Sequence, residues 1–318
     1  METATPHSAP LTRYAWLSIG AALITIALKA AAWYFTGSVG LLSDAMESVV
    51  NLISAVMALA MLTVAARPAD ETHAYGHHKA EYFSSGMEGA MILIAAASIG
   101  FAATKRLIAP QPLERVGLGV AVSVVAALVN LFVAIVLRRA GKRHESVTLE
   151  ADSHHLLTDV VTTLGVVIGI GLVVLTGWER LDPVIGLGVA FVIVLTGVRI
   201  VRKSVLGLMD TALPLSEQNA LRSVLDRYVK DEGVEFHALR TRQSGMKRFI
   251  SVHVLVPGEW TVQRGHDLLE HIEADFSDTL PNVSILTHLE SLDDPASYDD
   301  VTLDRPPSER RMRDRRES

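Results

Sequence analysis

The chain has 318 residues, of which 49% are hydrophobic, and a formal net charge of −6. Its mean hydropathy of +0.31 is high for a soluble protein. It has no cysteine, which excludes disulfides, thiolate metal ligands and thiol nucleophiles. No glycine-rich phosphate loop is present, and apart from a basic C-terminal end nothing indicates a nucleic-acid partner. The apolar residues lie mostly before about residue 205, so the composition predicts an integral membrane part followed by a soluble part.

Six apolar stretches are long enough to cross a bilayer, which takes about 20 residues per helix. The predicted spans are 14–36, 41–65, 84–107, 116–137, 147–177 and 183–203. The first run is longer than the apolar core of a typical signal peptide, so we interpret it as a membrane span. This predicts a cytoplasmic segment at 1–13 and a transmembrane domain at 14–206.

The Lys and Arg residues between the spans predict the orientation, because cytoplasmic loops are enriched in them. One side holds Arg13, Arg67, Lys79, Arg138, Arg139, Lys142, Arg143, Arg202 and Lys203. The other side holds Lys105, Arg106, Arg115 and Arg180. The first side is therefore predicted to be cytoplasmic, with both termini inside.

The segment 207–292 has the pattern of a small α+β domain. Helical spacing of apolar residues predicts helices at 216–230 and 261–276, and alternation favours strands at 234–242, 247–256 and 283–289. The predicted fold class is thus an all-α six-helix transmembrane domain plus a cytoplasmic domain of order αββαβ. The rest, 293–318, is rich in Asp, Pro, Ser and Arg and is predicted to be disordered.

Two predicted spans carry polar pairs four residues apart: Glu47 with Asn51, and His155 with Asp159. Residues at this spacing share one helix face. Ionisable residues inside a membrane usually mark ion or proton pathways, and imidazole with carboxylates suits zinc, iron, manganese or cobalt. The alternative is interhelical hydrogen bonding, which gains only about 0.6 kcal/mol per contact. That alternative fits Asn51 alone, so the pairs favour a divalent-metal site at the membrane midplane.

Two further clusters contain candidate metal ligands. In the loop after the second span, Asp70, His73 and His77 lie within eight residues, and two imidazoles with a carboxylate are able to converge on one metal. In the soluble domain the candidates are His237, His253, His266, His288 and Glu290, with one histidine on each predicted strand. Solvated surface histidines are the alternative interpretation of both clusters.

Two other classes of protein compete with a metal transporter. A membrane metallohydrolase needs a general base beside a metal-bound water, and the H-E-x-x-H motif typical of such enzymes is absent from this sequence. A metal-sensing membrane scaffold without transport activity is the second alternative. Measurement of vectorial metal flux separates both from a transporter.

Five segments carry a resemblance to a known family. They are GSVGLLSDAMESVVN, RPADETHAYGHHKAE, LEADSHHLLTDVVTTLGV, LMDTALP and FHALRTRQSG. Together they resemble the cation diffusion facilitators, and most of all the bacterial zinc- and iron-efflux branch. The resemblance extends from the first span to about residue 292. It implies a homodimer in the bacterial inner membrane with a metallochaperone-like cytoplasmic domain, which exports divalent metal in exchange for protons.

Position by position, the resemblance assigns roles to the candidate residues. It implies a transport site at Glu47, Asn51, His155 and Asp159, and a loop site at Asp70, His73 and His77. It implies cytoplasmic-domain ligands at His237, His253, His288 and Glu290, with a further ligand position at His266. It also implies a charge interlock between Lys79 and Asp210.

The transport site departs from the family pattern on the second span. Zinc exporters of the family carry two Asp there, or His and Asp, whereas this chain has Glu47 and Asn51. The set keeps one nitrogen and three oxygen donors, which shifts the preference from zinc toward iron or manganese. His155 favours zinc or iron over manganese. The expected cargo is therefore zinc or ferrous iron, with manganese, cadmium and cobalt as alternatives.

Overall fold

The computed structural model describes residues 11–36, 39–109, 116–178 and 180–298. The chain divides into two compact units, with the division between Leu208 and Met209. Within the described residues, the first unit forms the six predicted helices. They are α1 Thr12–Thr36, α2 Val39–Ala65, α3 Ala80–Ile108, α4 Val116–His144, α5 Val147–Thr176 and α6 Leu181–Leu208.

Four helical stretches of the described chain are long and apolar enough to cross a membrane. They are Thr12–Ala31, Ala80–Ile108, Val120–His144 and Pro183–Leu208. The other two helices of this unit, α2 and α5, carry the polar pairs, and α2 contains a shorter apolar stretch at Asn51–Ala65.

Helix α5 contributes to two separate apolar clusters. Its Leu149 is fully buried in a cluster with Leu62 of α2 and Leu137 of α4. Its Ala151 belongs to a second cluster with residues of α3 and α6, such as Ile193. Since one helix supplies both clusters, its polar residues are enclosed by neighbours on more than one side.

Glycines allow α3 and α6 to approach closely. A Cβ atom at Gly89 would lie 2.8 Å from Cγ2 of Val201, and one at Gly197 would lie 2.8 Å from Cγ of Leu93. Small residues permit such backbone contact between membrane helices. Glu88 directly precedes Gly89, and its side chain is only 2% exposed. The close contact between α3 and α6 therefore lies next to a carboxylate in the interior of the helical unit.

The second unit confirms the predicted order αββαβ. It contains α7 Leu215–Glu232, β1 Glu235–Ser244, β2 Lys247–Val256, α8 Val262–Thr279 and β3 Val283–Ser291. Strand β2 has the predicted bounds, and the ends of the other elements differ from the prediction by at most three residues. The ends of the two helices depend on local capping, which apolar spacing does not predict. Gly233 ends α7 in the left-handed conformation (φ +66°). The Thr261 side chain caps α8 by accepting from the amide of Arg264.

The three strands lie in the order β1-β2-β3, with β1 antiparallel and β3 parallel to β2. Ile250, Val252 and Val254 of β2 are buried in one core with Leu221 of α7 and Ile272 of α8. Side chains alternate between the two faces of a strand, so His253 lies on the face of β2 opposite to this core.

The segment 293–318, which the sequence predicts to be disordered, begins with ordered structure. A short 3₁₀ helix spans Pro295–Tyr298. The Asp294 carboxylate accepts from the amide of Ala296 at 2.9 Å, and the Tyr298 hydroxyl donates to the Leu292 carbonyl at 3.3 Å. These local hydrogen bonds are available to the polar residues that suggested disorder. Residues 299–318 lie outside the described chain.

Candidate metal sites

Helices α2 and α5 bring three of the four predicted transport ligands together. Nε2 of His155 lies 2.8 Å from Oδ1 of Asn51, and the Asn51 amide donates to Oδ2 of Asp159. Asn51 is 7% exposed and His155 5%. Glu47 lies one turn before Asn51 on α2, but its side chain falls outside the described part of the structure. The described donors are one imidazole nitrogen and amide and carboxylate oxygens.

Two further helices add polar neighbours to this group. Asn130 of α4 is 4% exposed, and its Nδ2 lies 3.4 Å from Oδ2 of Asp159. Glu88 of α3 is 2% exposed, and its Oε2 lies 3.5 Å from Nδ1 of His155. Sequence analysis did not assign either residue to the site. For Asn130 the available signal was a single polar residue within an apolar stretch, VAALVNLFVAIV.

The loop between α2 and α3 brings Asp70, His73 and His77 together. One ligand atom from each residue lies within 4.8 Å of the others. Nδ1 of His73 is 3.3 Å from Oδ1 of Asp70, and Nε2 of His77 is 3.4 Å from its Oδ2. Tetrahedral zinc, with bonds of about 2.0–2.1 Å, places its donors roughly 3.3 Å apart. The residue types and their separations therefore fit a divalent metal.

Hydrogen bonds hold the Asp70 carboxylate in the loop. Its Oδ1 accepts from the Thr72 hydroxyl at 2.8 Å and from the His73 amide at 2.7 Å. These hydrogen bonds, that of the Thr72 hydroxyl foremost, lower the pKa of Asp70 to about 2. The Asp70 carboxylate is therefore anionic throughout the physiological pH range.

The strand register of the second unit lines up three histidines. His237 of β1 pairs with His253 of β2, and His253 pairs in turn with His288 of β3. Glu290 lies two residues after His288, on the same face of β3. The sheet thus gathers four side chains that are separated in the sequence by up to 53 positions (290 minus 237).

Three of these side chains form a compact donor group. Nε2 of His237 lies 3.2 Å from Nδ1 of His253 and 3.0 Å from Oε2 of Glu290. Nδ1 of His253 lies 3.3 Å from Oε1 of Glu290. These separations fit two imidazoles and a carboxylate around one zinc-sized ion.

The two remaining histidine candidates lie at or outside the edge of this group. His288 is 62% exposed, with Nε2 3.3 Å from Oε1 of Glu290. His266 lies on α8, where Nε2 is 3.9 Å from Oε1 of Glu270. Among the described residues, the group with mutually close ligand atoms contains His237, His253 and Glu290 and does not include His266.

The two residues of the predicted charge interlock lie in different units. Nζ of Lys79 donates to the carbonyl of Leu208 at 3.3 Å. Nη1 of Arg242 donates to Oδ1 of Asp210 at 3.0 Å. The pairing of Lys79 with Asp210 stays a prediction.

Comparisons with known proteins match both units. The sequence model of the cation efflux transmembrane domain matches residues 15–209. The model of the cytoplasmic domain of cation efflux proteins matches residues 213–292. The two matches together extend over nearly the same part of the chain as the resemblance inferred from the motifs.

Curated relatives align along most of the chain. It is 53% identical over 285 residues to the uncharacterized transporter sll1263 of Synechocystis sp., an alignment that spans 90% of this chain and 92% of the relative. It is 31% identical over 284 residues to the cation-efflux pump FieF of Serratia proteamaculans, which spans 89% of this chain and 94% of that pump. The FieF pump of Salmonella arizonae is 28% identical over 278 residues, or 87% of this chain and 92% of the pump. The chain therefore belongs to the cation diffusion facilitator family of membrane transporters.

Proposed function

We propose that this protein exports a divalent metal from the cytoplasm in exchange for protons, by alternating access, with zinc or ferrous iron as its cargo. The observation that carries the proposal is the meeting of Asn51, His155 and Asp159 in the interior of the helical unit. Glu47 is the fourth ligand of the proposal, one helical turn from Asn51. Relatives named cation-efflux pumps support the direction of transport.

Proton exchange follows from the chemistry of these ligands. Imidazole and carboxylate bind metal in their deprotonated forms, so metal and protons compete for His155, Asp159 and Glu47. Free histidine titrates near pH 6.5, close to cellular pH. When the site faces the cytoplasm, metal displaces protons from the ligands. When it faces outward, protons displace the metal and the ligands return loaded with protons.

The energetics favour exchange for two or more protons. Each pH unit across the membrane supplies about 1.36 kcal/mol per proton, and each charge moved through 100 mV changes the energy by about 2.3 kcal/mol. Export of two positive charges against one proton therefore works against an inside-negative potential. Exchange for two protons is electrically neutral, and exchange for more gains energy from the potential.

The donor set underlies the choice of cargo. One imidazole nitrogen favours zinc or iron over manganese, whereas three oxygens shift the set away from the softest cations. Asn51 adds a neutral oxygen where zinc exporters of the family have a carboxylate. Zinc and ferrous iron satisfy both conditions.

The loop and sheet sites have accessory roles in the proposal. Asp70, His73 and His77 bind metal at the cytoplasmic loop. The sheet cluster of His237, His253 and Glu290 binds cytoplasmic metal and stabilises a homodimer, and this shifts the transporter between its states. The cytoplasmic placement of both accessory sites and both termini follows from the distribution of Lys and Arg. The segment 207–292 is the metal-binding and dimerisation domain of this proposal.

The test is metal-driven proton flux in proteoliposomes that contain the purified protein. His155→Ala and Asp159→Ala should each remove a ligand and reduce the flux to the level of empty liposomes. His144→Ala, which removes a histidine at the end of α4 near Tyr14, is the matched control and should retain flux. All three variants should insert and form dimers normally. Undiminished flux in both ligand variants refutes the transport site.

A further inference from the structure

The carboxylate of Glu88 on α3 lies beside Asn51, His155 and Asp159, which we call the transport group. Its own oxygens do not have a full set of hydrogen-bond donors among the described residues. Glu88 is 2% exposed, and neither of its carboxylate oxygens makes a hydrogen bond of normal geometry among the described residues. Burial of a carboxylate is strongly unfavourable unless the group is paired or hydrogen-bonded. Glu88 lies within ion-pair distance of His155. The position of Glu88 therefore calls for an explanation that involves this histidine.

The imidazole of His155 connects Glu88 with the transport ligands. Its Nε2 lies 2.8 Å from Oδ1 of Asn51, and its Nδ1 lies 3.5 Å from Oε2 of Glu88. The ring thus directs one nitrogen to α2 and the other to α3. The contact with Glu88 is slightly longer than the N–H···O hydrogen bonds of about 2.7–3.2 Å in proteins. A small rotation of either side chain closes this difference.

We propose that Glu88 is a positioning residue for the transport site. Its carboxylate accepts the Nδ1–H of His155, which fixes the ring. Nε2, whose hydrogen faces the Oδ1 acceptor of Asn51 in this structure, gives up that hydrogen when it binds the transported cation. Metal-binding histidines usually donate their second N–H to a carboxylate or carbonyl, and this partner sets the tautomer and the ring orientation. The inference rests on the proposed function, because it takes His155 as a ligand of the cargo.

Two substitutions separate the acceptor role of Glu88 from its charge and its volume. Glu88→Gln keeps an oxygen acceptor and loses the negative charge. Glu88→Leu keeps most of the volume and loses the acceptor. Ser85→Ala is the matched control on α3, because Ser85 is also buried but contacts the Ser204 hydroxyl of α6.

Zinc transport by each variant is measured in proteoliposomes as a function of zinc concentration. Loss of a carboxylate partner typically reduces metal affinity or activity about 10–100-fold. We expect Glu88→Leu to raise the KM for zinc by that order with a much smaller change in maximal rate. We expect Glu88→Gln to recover most of the loss and Ser85→Ala to match the unmodified protein. A Glu88→Leu variant with the control's KM overturns the proposal, and so does equal impairment of the Gln and Leu variants.

A measurement on the unmodified chain removes the dependence on variants that fold poorly. The nitrogen-15 resonances of zinc-loaded protein, assigned with His155→Gln, report which ring nitrogen of His155 carries hydrogen. The expected result is a protonated Nδ1 and a metal-bound Nε2, and a metal-bound Nδ1 overturns the proposal. Absence of zinc flux in the unmodified protein contradicts the proposed function instead, since the tautomer is read without transport.

Discussion

Asn51 has two different hydrogen-bonding roles in the transport group. Its carbonyl oxygen faces Nε2 of His155, while its amide nitrogen donates to Asp159. A carboxylate has no hydrogen to donate when it is ionised, so an aspartate at this position would face Asp159 as a second anion. The amide therefore links the ligands of α2 and α5 through a neutral contact. It also sets the charge of the ligand set, which we expect to affect the choice of metal.

Asn51→Asp tests this effect on selectivity. The variant restores the second carboxylate that zinc exporters of the family carry, so we expect zinc transport to rise relative to manganese and ferrous iron. A difference of about 1.4 kcal/mol changes an affinity ratio tenfold, and a change of roughly that size is expected. Competition between metals in proteoliposomes measures the ratio.

The control for added charge is Asn130→Asp. It introduces the same negative charge beside Asp159, but from α4 rather than α2. We expect a smaller change in metal preference, because Asn130 contacts Asp159 without facing His155. An unchanged zinc-to-manganese ratio in Asn51→Asp contradicts the assignment of selectivity to this residue.

Spacing within one helix made part of the transport group predictable, but contacts between helices did not follow from it. The four-residue interval between His155 and Asp159 places both on one face of α5 regardless of the rest of the fold. Glu88 and Asn130 reach the same group from α3 and α4, and their positions depend on how these helices pack. No periodicity within a single helix specifies that packing. The neighbours of the ligands therefore became visible only in three dimensions.

At the scale of elements, apolar patterning predicted the helices and strands well. The register across the sheet was less accessible, because β1 contains an irregularity between His237 and Arg240. Ala238 has a positive φ of 49° at this bulge. A one-residue change of register moves every following side chain to the opposite face. The convergence of His237 with His253 therefore depends on a local feature that alternation alone does not predict.

The loop between α2 and α3 supports a prediction about pH. Because hydrogen bonds from Thr72 and His73 hold the pKa of Asp70 at about 2, this carboxylate stays ionised above roughly pH 3. Protonation of Asp70 should therefore not weaken metal binding at the loop until the pH falls to about 3.

Zinc binding measured by isothermal titration between pH 4 and 8, in a background with His155→Ala and His237→Ala, tests the loop prediction. Asp70→Asn should weaken zinc binding at every pH without moving the pH at which half of the affinity is lost. Thr72→Val, which removes a donor to the carboxylate, should lower affinity by a smaller factor. A midpoint near pH 4, the ordinary range of carboxylates, contradicts the prediction.

At the scale of the whole molecule, three candidate metal sites occur in one chain but differ in exposure. Asn51 and His155 of the proposed transport site are buried within the helical unit, whereas Asp70 and His73 are more than half exposed. The sheet cluster is intermediate, since His237 and Glu290 are each 9% exposed and His253 is 23% exposed. Exposed side chains are directly accessible to metal in the surrounding solution. The gradation therefore fits cargo binding in the interior and metal sensing at the periphery.

The sheet cluster leads to a prediction about assembly of the full-length chain. If bound metal stabilises the homodimer, added zinc should tighten dimerisation in detergent, and His253→Ala or Glu290→Gln should abolish the zinc effect. Ligand binding at 100 times its Kd stabilises the bound form by about 2.7 kcal/mol, so a roughly 100-fold change in dimer dissociation is the upper expectation. Analytical ultracentrifugation with and without zinc measures the dimer dissociation constant.

His271→Ala is the control, because His271 is an exposed histidine on α8, and this variant should retain the full effect of zinc on dimerisation. His266→Ala decides a separate point: a loss equal to that of His253→Ala makes His266 a ligand in the dimer, and a result like the control leaves it outside the site. Equal dimerisation with and without zinc in the unmodified chain contradicts the role of metal in assembly.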